Sequence, residues 1–279
     1  MLPSANITTV IVAYNSGDWL LRAVSACLNC AEIAEVIVCD NASNDGCTSS
    51  LKGLARVKIT QLQQNYGFST ACNVGWRQAQ SEFVLFLNPD CELKPGQLSA
   101  LLNAFSADSQ IGIASAQLIN LDGTPQQPSL RRAPTPTRAL AQMLGLSKIW
   151  PHLGVNMPAP KPAARMRVDA CSGALMLMRR SLLNQLNGFD EGYFLHCEDL
   201  DLCRRAVQAG FSVQVDTRVE VLHAKGTSSS AVPKLVAQAK LHGMRRYFEK
   251  FDAHASLLPV RWLIRSAIAI LLAAQKLRR

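Results

Sequence analysis

An α/β fold on a mostly parallel sheet is what this sequence predicts, and three observations carry the prediction. Short apolar runs rich in β-branched or aromatic residues occur at 9–13 (TVIVA), 35–39 (EVIVC) and 83–87 (FVLFL), the composition of strands covered on both faces. Helix-like stretches alternate with them. Polar and acidic residues collect just past the carboxyl end of each run, where open α/β sheets bind ligands.

Taken in order, residues 18–30 carry Trp19, Leu20, Ala23, Val24, Cys27 and Leu28 on one helical stripe. Residues 56–59 read as an edge strand, and a helix follows over about 69–79. The middle changes character. Eight of the thirteen prolines fall at 125, 128, 134, 136, 151, 158, 160 and 162, a density that fits surface loop or loosely held helix. Beyond it, residues 168–178 read as a strand, 199–209 as a helix, and 211–215 alternate like a half-buried strand.

The 279 residues suffice for one large domain plus an appendage. The formal charge of +9 is local: ten Lys and Arg lie from Lys234 onward, against Glu249 and Asp252. A nucleic-acid binder would spread its bases over the folded body, so no nucleic-acid partner is expected. The expected division is a folded domain over 1–230, in halves of about 1–118 and 119–230, and a basic helical tail over 231–279. In that tail Arg261, Arg265, Lys276 and Arg279 fall within about a 60° arc of a helix beside the apolar run 267–274. That run is far short of the roughly 20 residues of a span. Such an amphipathic tail suits an anionic membrane surface as partner, with docking on the protein's own domain as the alternative. Nine cysteines and no signal-like start read as reduced thiols in a cytoplasmic, peripherally membrane-bound protein. The CxxC spacing of Cys27 and Cys30 reads as structural.

Chemistry gathers at the strand ends: Tyr14-Asn15-Ser16, then Asp40 through Gly46, then Asn88-Pro89-Asp90, then Asp216 and His223. One acid at a strand end can be a helix cap. Polar groups at several ends together form a site.

The ordered motifs VIVAYNS (10–16), VIVCDNASNDG (36–46), NYGFSTACNVG (65–75), LFLNPD (85–90), SGALMLMRR (172–180), GFDEGYFLHCEDLDLCRRAVQAG (188–210) and HAKGTS (223–228) resemble those of family 2 glycosyltransferases, in the bacterial subgroup rich in rhamnosyltransferases. The resemblance runs from 7 to 229. It implies a GT-A type nucleotide-binding domain, a mixed, mostly parallel sheet flanked by helices. The implied reaction is inverting transfer from a dTDP- or UDP-sugar, best dTDP-L-rhamnose, to a saccharide or polyprenyl-linked saccharide acceptor in cell-surface polysaccharide synthesis.

The resemblance also assigns roles. Asp40 reads the pyrimidine N–H, as an acceptor-only group can, with Asn41 and Asp45 supporting its loop and Tyr14 and Asn15 lining base and ribose. Asp45-Gly46 reads equally as a plain turn. Asn65, Gly67 and Asn73 form the next donor segment, Gly67 letting backbone approach the nucleotide. Asn88 stands where relatives carry the first acid of an aspartate-any-aspartate triplet. Asp90 is left as the ligand of Mg²⁺ or Mn²⁺, joined by His223, with Arg131, Arg132 or Lys225 as alternative bearers of the phosphate charge. Gly173 is the point of close backbone approach. Asp199 is the general base, with Glu198 beside it, while Asp201 caps or pairs with Arg204 or Arg205. A nucleotidyltransferase and a non-catalytic sugar-nucleotide binder are the alternatives. The first would ordinarily carry a glycine-rich phosphate loop near the N-terminus, and the second would lose the acid pair.

Overall fold

The computed structural model describes residues 6–143, 145–161, 163–224, 233–251 and 266. Four strands make the first half of the sheet: β1 (Ile7–Ala13), β2 (Ile33–Asp40), β3 (Val57–Gln61) and β4 (Phe83–Leu87). They are parallel, in the order β3-β2-β1-β4. Between them run α1 (Asp18–Leu28) and α2 (Phe68–Trp76). Alternate side chains of the inner strands go to opposite core layers, as the pleat requires. Ile7, Ile11, Leu85 and Leu87 pack on one side with Leu20, Ala23, Val24 and Cys27 of α1. Val10, Val12, Val84 and Phe86 pack on the other with Ala71, Cys72 and Trp76 of α2. Phe86 is fully buried, and truncating such a ring costs about 3–5 kcal/mol. β3 is only half covered, as an edge strand should be.

The second half is mixed. A short β5 (Cys91–Glu92) and α3 (Gln97–Ala107) lead to β6 (Ile111–Ile119). β7 (Leu130–Arg131) follows, then α4 (Pro136–Met143) and α5 (Leu146–Ile149) in the proline-rich segment, where Ile149 and Trp150 are exposed. The chain returns through β8 (Arg165–Val168), β9 (Ala170–Cys171), β10 (Leu175–Arg179), α6 (Arg180–Leu186) and α7 (Glu198–Gln208) to β11 (Ser212–His223). β10 lies antiparallel between β4 and β6, and β6 pairs in parallel with β11. β5 and β8 pair antiparallel with β11, and β7 pairs with β9 in a two-stranded ribbon. Among the described residues the main sheet has nine strands.

Three expectations change here. The strand expected over 168–178 is three strands, because the chain leaves the ladder at Ser172-Gly173-Ala174, where Gly173 lies against Asp199. A Cβ at Gly173 would sit 3.1 Å from that of Asp199. The strand expected over 211–215 continues to His223, with an irregularity between Asp216 and Glu220, so His223 ends β11. Asp216 is consequently inside the strand, where it accepts hydrogen bonds from Arg218 and Arg165.

The first part of the expected tail packs on the domain. α8 (Pro233–Phe251) buries Tyr247 and Phe248 in the same layer as α2 and α7. Its backbone lies so close to the loop before α7 that a Cβ on Gly243 would stand 2.6 Å from the His196 carbonyl. Arg246 donates to Asp190, and Lys250 bridges Asp190 and Asp201 at 2.7 Å to each. Part of the basic charge is thus spent inside the fold. The membrane-facing stretch expected over 261–279 lies outside the described residues, apart from Ser266. Among the described residues no helix is long and apolar enough to cross a membrane.

Candidate active site

The loops at the carboxyl ends of β1, β2 and β3 are stitched to one another. Asn15, at φ 49°, accepts from the Asn44 N–H through Oδ1 at 2.9 Å and donates its own N–H to Ser43. Asp45 accepts from the N–H groups of Gly17 and Cys47. Partial burial raises its carboxyl, but these bonds outweigh that and hold it below the usual range. Asp45 is therefore a turn residue that also joins two loops. Asp40 is buried at the end of β2, with Oδ1 accepting the Ser43 N–H at 2.9 Å and Oδ2 3.5 Å from Thr48 Oγ1. Tyr14 is half-buried beside them.

Other residues assigned to the donor segment are spent on the protein itself. Asn41 donates to Asn65 and to the Gly67 carbonyl and accepts from the Tyr66 N–H. Asn65 Oδ1 also accepts the Gly67 N–H. Gly67, at φ 87°, is approached by the backbone of Phe194, whose carbonyl would stand 2.5 Å from a Cβ there. The space a Cβ would fill at Gly67 is thus taken by this chain. Asn73 uses both ends of its amide, donating to the Phe189 carbonyl and Glu191 and accepting from Trp76 Nε1 and the Phe189 N–H. No capacity remains for a ligand, so Asn73 clamps α2 to the loop before α7.

The acids fall into two groups joined by one short segment. Ala174 accepts the Asn88 N–H through its carbonyl, and Gly173 donates its N–H to Asp199 Oδ2, both at 2.9 Å. At the Asn88 end, Asp90 Oδ1 lies 3.2 Å from His223 Nε2, and Asn88 Nδ2 lies 3.4 Å from the same nitrogen. Asp90, Cys91 and His223 are the one cluster of potential metal ligands among the described residues. Cys91 is a poor member, since burial keeps its thiol protonated and it points to the Ala174 carbonyl. A carboxylate and an imidazole suit a hard divalent cation that takes further oxygens from a diphosphate.

At the other end, Glu198 and Asp199 open α7 after two residues held at positive φ, His196 (68°) and Cys197 (71°). Such strain persists only where surroundings impose it and clusters at functional sites. Asp199 accepts from Arg131 Nη2 at 2.5 Å, from Gly173 and from the Leu200 N–H. Burial pushes this carboxyl up, but the Arg131 charge and hydrogen bond outweigh it, and the group is held below the usual range. Glu198 is buried with Oε2 unpartnered. Burial first, and then the Asp199 charge, push it up to about 8. Asp201 pairs with Arg205 at 2.5 Å and with Lys250, so it takes the structural role expected of it.

Of the alternative phosphate carriers, Arg131 is committed to Asp199 and to the Cys171 carbonyl. Arg132 reaches the carbonyls of Pro151, Gly154 and Asn156 at 3.4 Å, and Lys225 is outside the described residues. All nine cysteines are free and buried. Burial pushes the Cys30 thiol up to about 11 and that of Cys27 higher, as structural residues require.

The family model "Glycosyl transferase family 2" matches residues 8–186. The chain belongs to that family. It is a glycosyltransferase, which sets aside the nucleotidyltransferase and the non-catalytic binder. Among family members it is similar to the N-acetylglucosaminyl-diphospho-decaprenol L-rhamnosyltransferase of Mycobacterium tuberculosis, 29% identical over 98% of this chain and 94% of the relative. It is also 29% identical to the rhamnosyltransferase WbbL of Escherichia coli, over 57% of this chain and 61% of that one. Solved structures with the GT-A fold include GalNAc-T7 with UDP, GalNAc and Mn²⁺ (TM-score 0.61, 19% identity, 86% of this chain but 48% of that one). The mannosyltransferase PcManGT of Pyrobaculum calidifontis, with GDP-Man and Mn²⁺, matches over 99% of this chain and 74% of its own (TM-score 0.60, 17% identity).

Proposed function

We propose that the chain is an inverting hexosyltransferase, moving L-rhamnose from dTDP-L-rhamnose to a saccharide or polyprenyl-linked saccharide in cell-surface polysaccharide synthesis. The observation that carries the chemistry is the division of the acid pair: Asp199 is held ionised by Arg131, while Glu198 is pushed toward its neutral form. Asp199 is thus the member of the pair that is ionised and able to accept a proton, which supports it as the base. Asp199 takes the proton of the acceptor hydroxyl as that oxygen attacks the anomeric carbon opposite the departing diphosphate. Attack from the opposite face inverts the configuration.

Asp40, with Oδ2 only lightly engaged, reads the N–H of uracil or thymine. Asp90 and His223 are the residues that would hold Mg²⁺ or Mn²⁺, and such an ion supplies charge stabilisation to the leaving diphosphate. Both similar solved enzymes were crystallised with Mn²⁺, which supports a divalent ion here. The rhamnosyltransferase relatives support the sugar, and the decaprenol-linked substrate in the name of the mycobacterial relative supports a lipid-linked acceptor. That acceptor favours action at the inner face of the membrane, with residues 261–279 as the contact.

A donor screen tests the reading. Release of nucleoside diphosphate is measured with each candidate nucleotide sugar and a polyprenyl-diphosphate saccharide. dTDP-L-rhamnose should be turned over fastest. Preference for a purine-nucleotide sugar would remove Asp40 from the base pocket and overturn the assignment.

A further inference from the structure

The loop after β6 carries a directional hydrogen-bond relay that ends on His223. It begins at Asp122, whose carboxylate can only accept, and which takes the hydroxyl hydrogen of Thr124 at 2.6 Å. Thr124 Oγ1 then accepts from Asn120 Nδ2 at 2.9 Å. Asn120 Oδ1 is thereby turned to Gln126 Nε2, also at 2.9 Å, and the same Nε2 donates to the His223 carbonyl at 2.8 Å. With both amide hydrogens of Gln126 engaged, its Oε1 is left facing His223 Nδ1 at 2.9 Å. Gln126 is itself buried and pinned through its backbone, its N–H to the Leu118 carbonyl and its own carbonyl to the Ser129 hydroxyl.

Each link fixes the next, so the amide at 126 has one orientation and the imidazole one favoured tautomer. We infer that Gln126 is a positioning residue for the metal site: it keeps the His223 proton on Nδ1 and leaves the Nε2 lone pair, which also faces Asn88 Nδ2 at 3.4 Å, toward Asp90. Two acceptors 3.2 Å apart repel unless a cation is shared between them. Relays of this kind set the ring orientation and basicity of metal-bound histidines. The inference rests on the metal reading given above, and adds a residue 97 positions from its target.

The test is Mn²⁺ titration into the full chain in the presence of dTDP, for the parent, Gln126→Leu, His223→Ala and the double variant, with circular dichroism to check folding. Gln126→Leu should weaken Mn²⁺ binding about 10- to 100-fold, and should have no further effect once His223 is Ala. Binding within about twofold of the parent, or an equal loss in the His223→Ala background, would overturn the inference.

Nitrogen-15 NMR of the histidine rings in the metal-free parent gives a second readout, with His223 assigned by difference from His223→Ala. Protonated Nδ1 is expected, and protonated Nε2 would refute the tautomer even if Gln126→Leu fails to fold. A parent that binds no Mn²⁺ would remove the metal reading, while the ring spectrum would still decide what Gln126 does.

Discussion

Near each end of the Ser172–Ala174 segment lies a carboxylate, and the two are met in opposite ways. Asp199 is met by a cation of this chain, the buried guanidinium of Arg131 at 2.5 Å. Asp90 is met by an imidazole whose proton is drawn to the far nitrogen by Gln126. The first end is closed in charge before any substrate arrives. The second is arranged to share a cation. In the reading proposed above, the base and the leaving-group site need different things, and Gly173 and Ala174 tie the two ends together.

The largest effect that could break this comparison is on turnover. Asp199→Asn should lower the transfer rate about 10²- to 10⁴-fold while dTDP binding stays near that of the parent. Steady-state kinetics and calorimetry check it, and turnover within about threefold would pass the role of base elsewhere.

Next comes the internal cation. Breaking a buried pair by removing one partner costs about 3–5 kcal/mol, so Arg131→Met should be destabilised by that order in denaturant unfolding. The sign with pH also follows. Asp199 is depressed in the folded state, so its pair contributes stability above the ordinary carboxyl range and loses it as pH falls through the folded value. Without Arg131 only the Gly173 and Leu200 N–H groups are left to oppose burial, and the acid limb of the activity profile should move to higher pH.

A third effect belongs to Glu198. Its carboxyl is raised from 4.5 to about 8, so its contribution to stability is full below about 4.5 and is lost as pH rises through about 8. Glu198→Gln should remove that loss, leaving thermal stability flatter across the window than in the parent. An unchanged slope would mean that Glu198 is not kept neutral.

Much of the first half was legible in the sequence, because each inner strand is a continuous apolar run and the pattern changes period at each helix. β4 is read to the residue, while β1 and β2 differ at their ends. The second half was less so. β6 went unread, and β8, β9 and β10 were merged, because the break at Gly173 follows from contact with Asp199, 26 positions away.

The same cause limited the site. Motifs gave Asp40, Asp90, His223 and Asp199 at strand and helix ends. They also gave Asn41 as support for the Asp40 loop and Asn65, Gly67 and Asn73 as the next donor segment; in the fold all four also hold loops together. Only tertiary partners such as Phe189 and Phe194 reveal that use. Gln126 had no local signal at all, and Arg131, named only as one of three alternative bearers of phosphate charge, has a carboxylate as its partner.

The division of labour between the two ends is tested most directly by calorimetric titration of dTDP, with and without Mn²⁺, into Asp90→Ala and Asp199→Asn. Asp199→Asn should bind dTDP with the Mn²⁺ dependence of the parent, and Asp90→Ala should lose that dependence. Mn²⁺-dependent binding that survives in Asp90→Ala, or disappears in Asp199→Asn, would contradict the account.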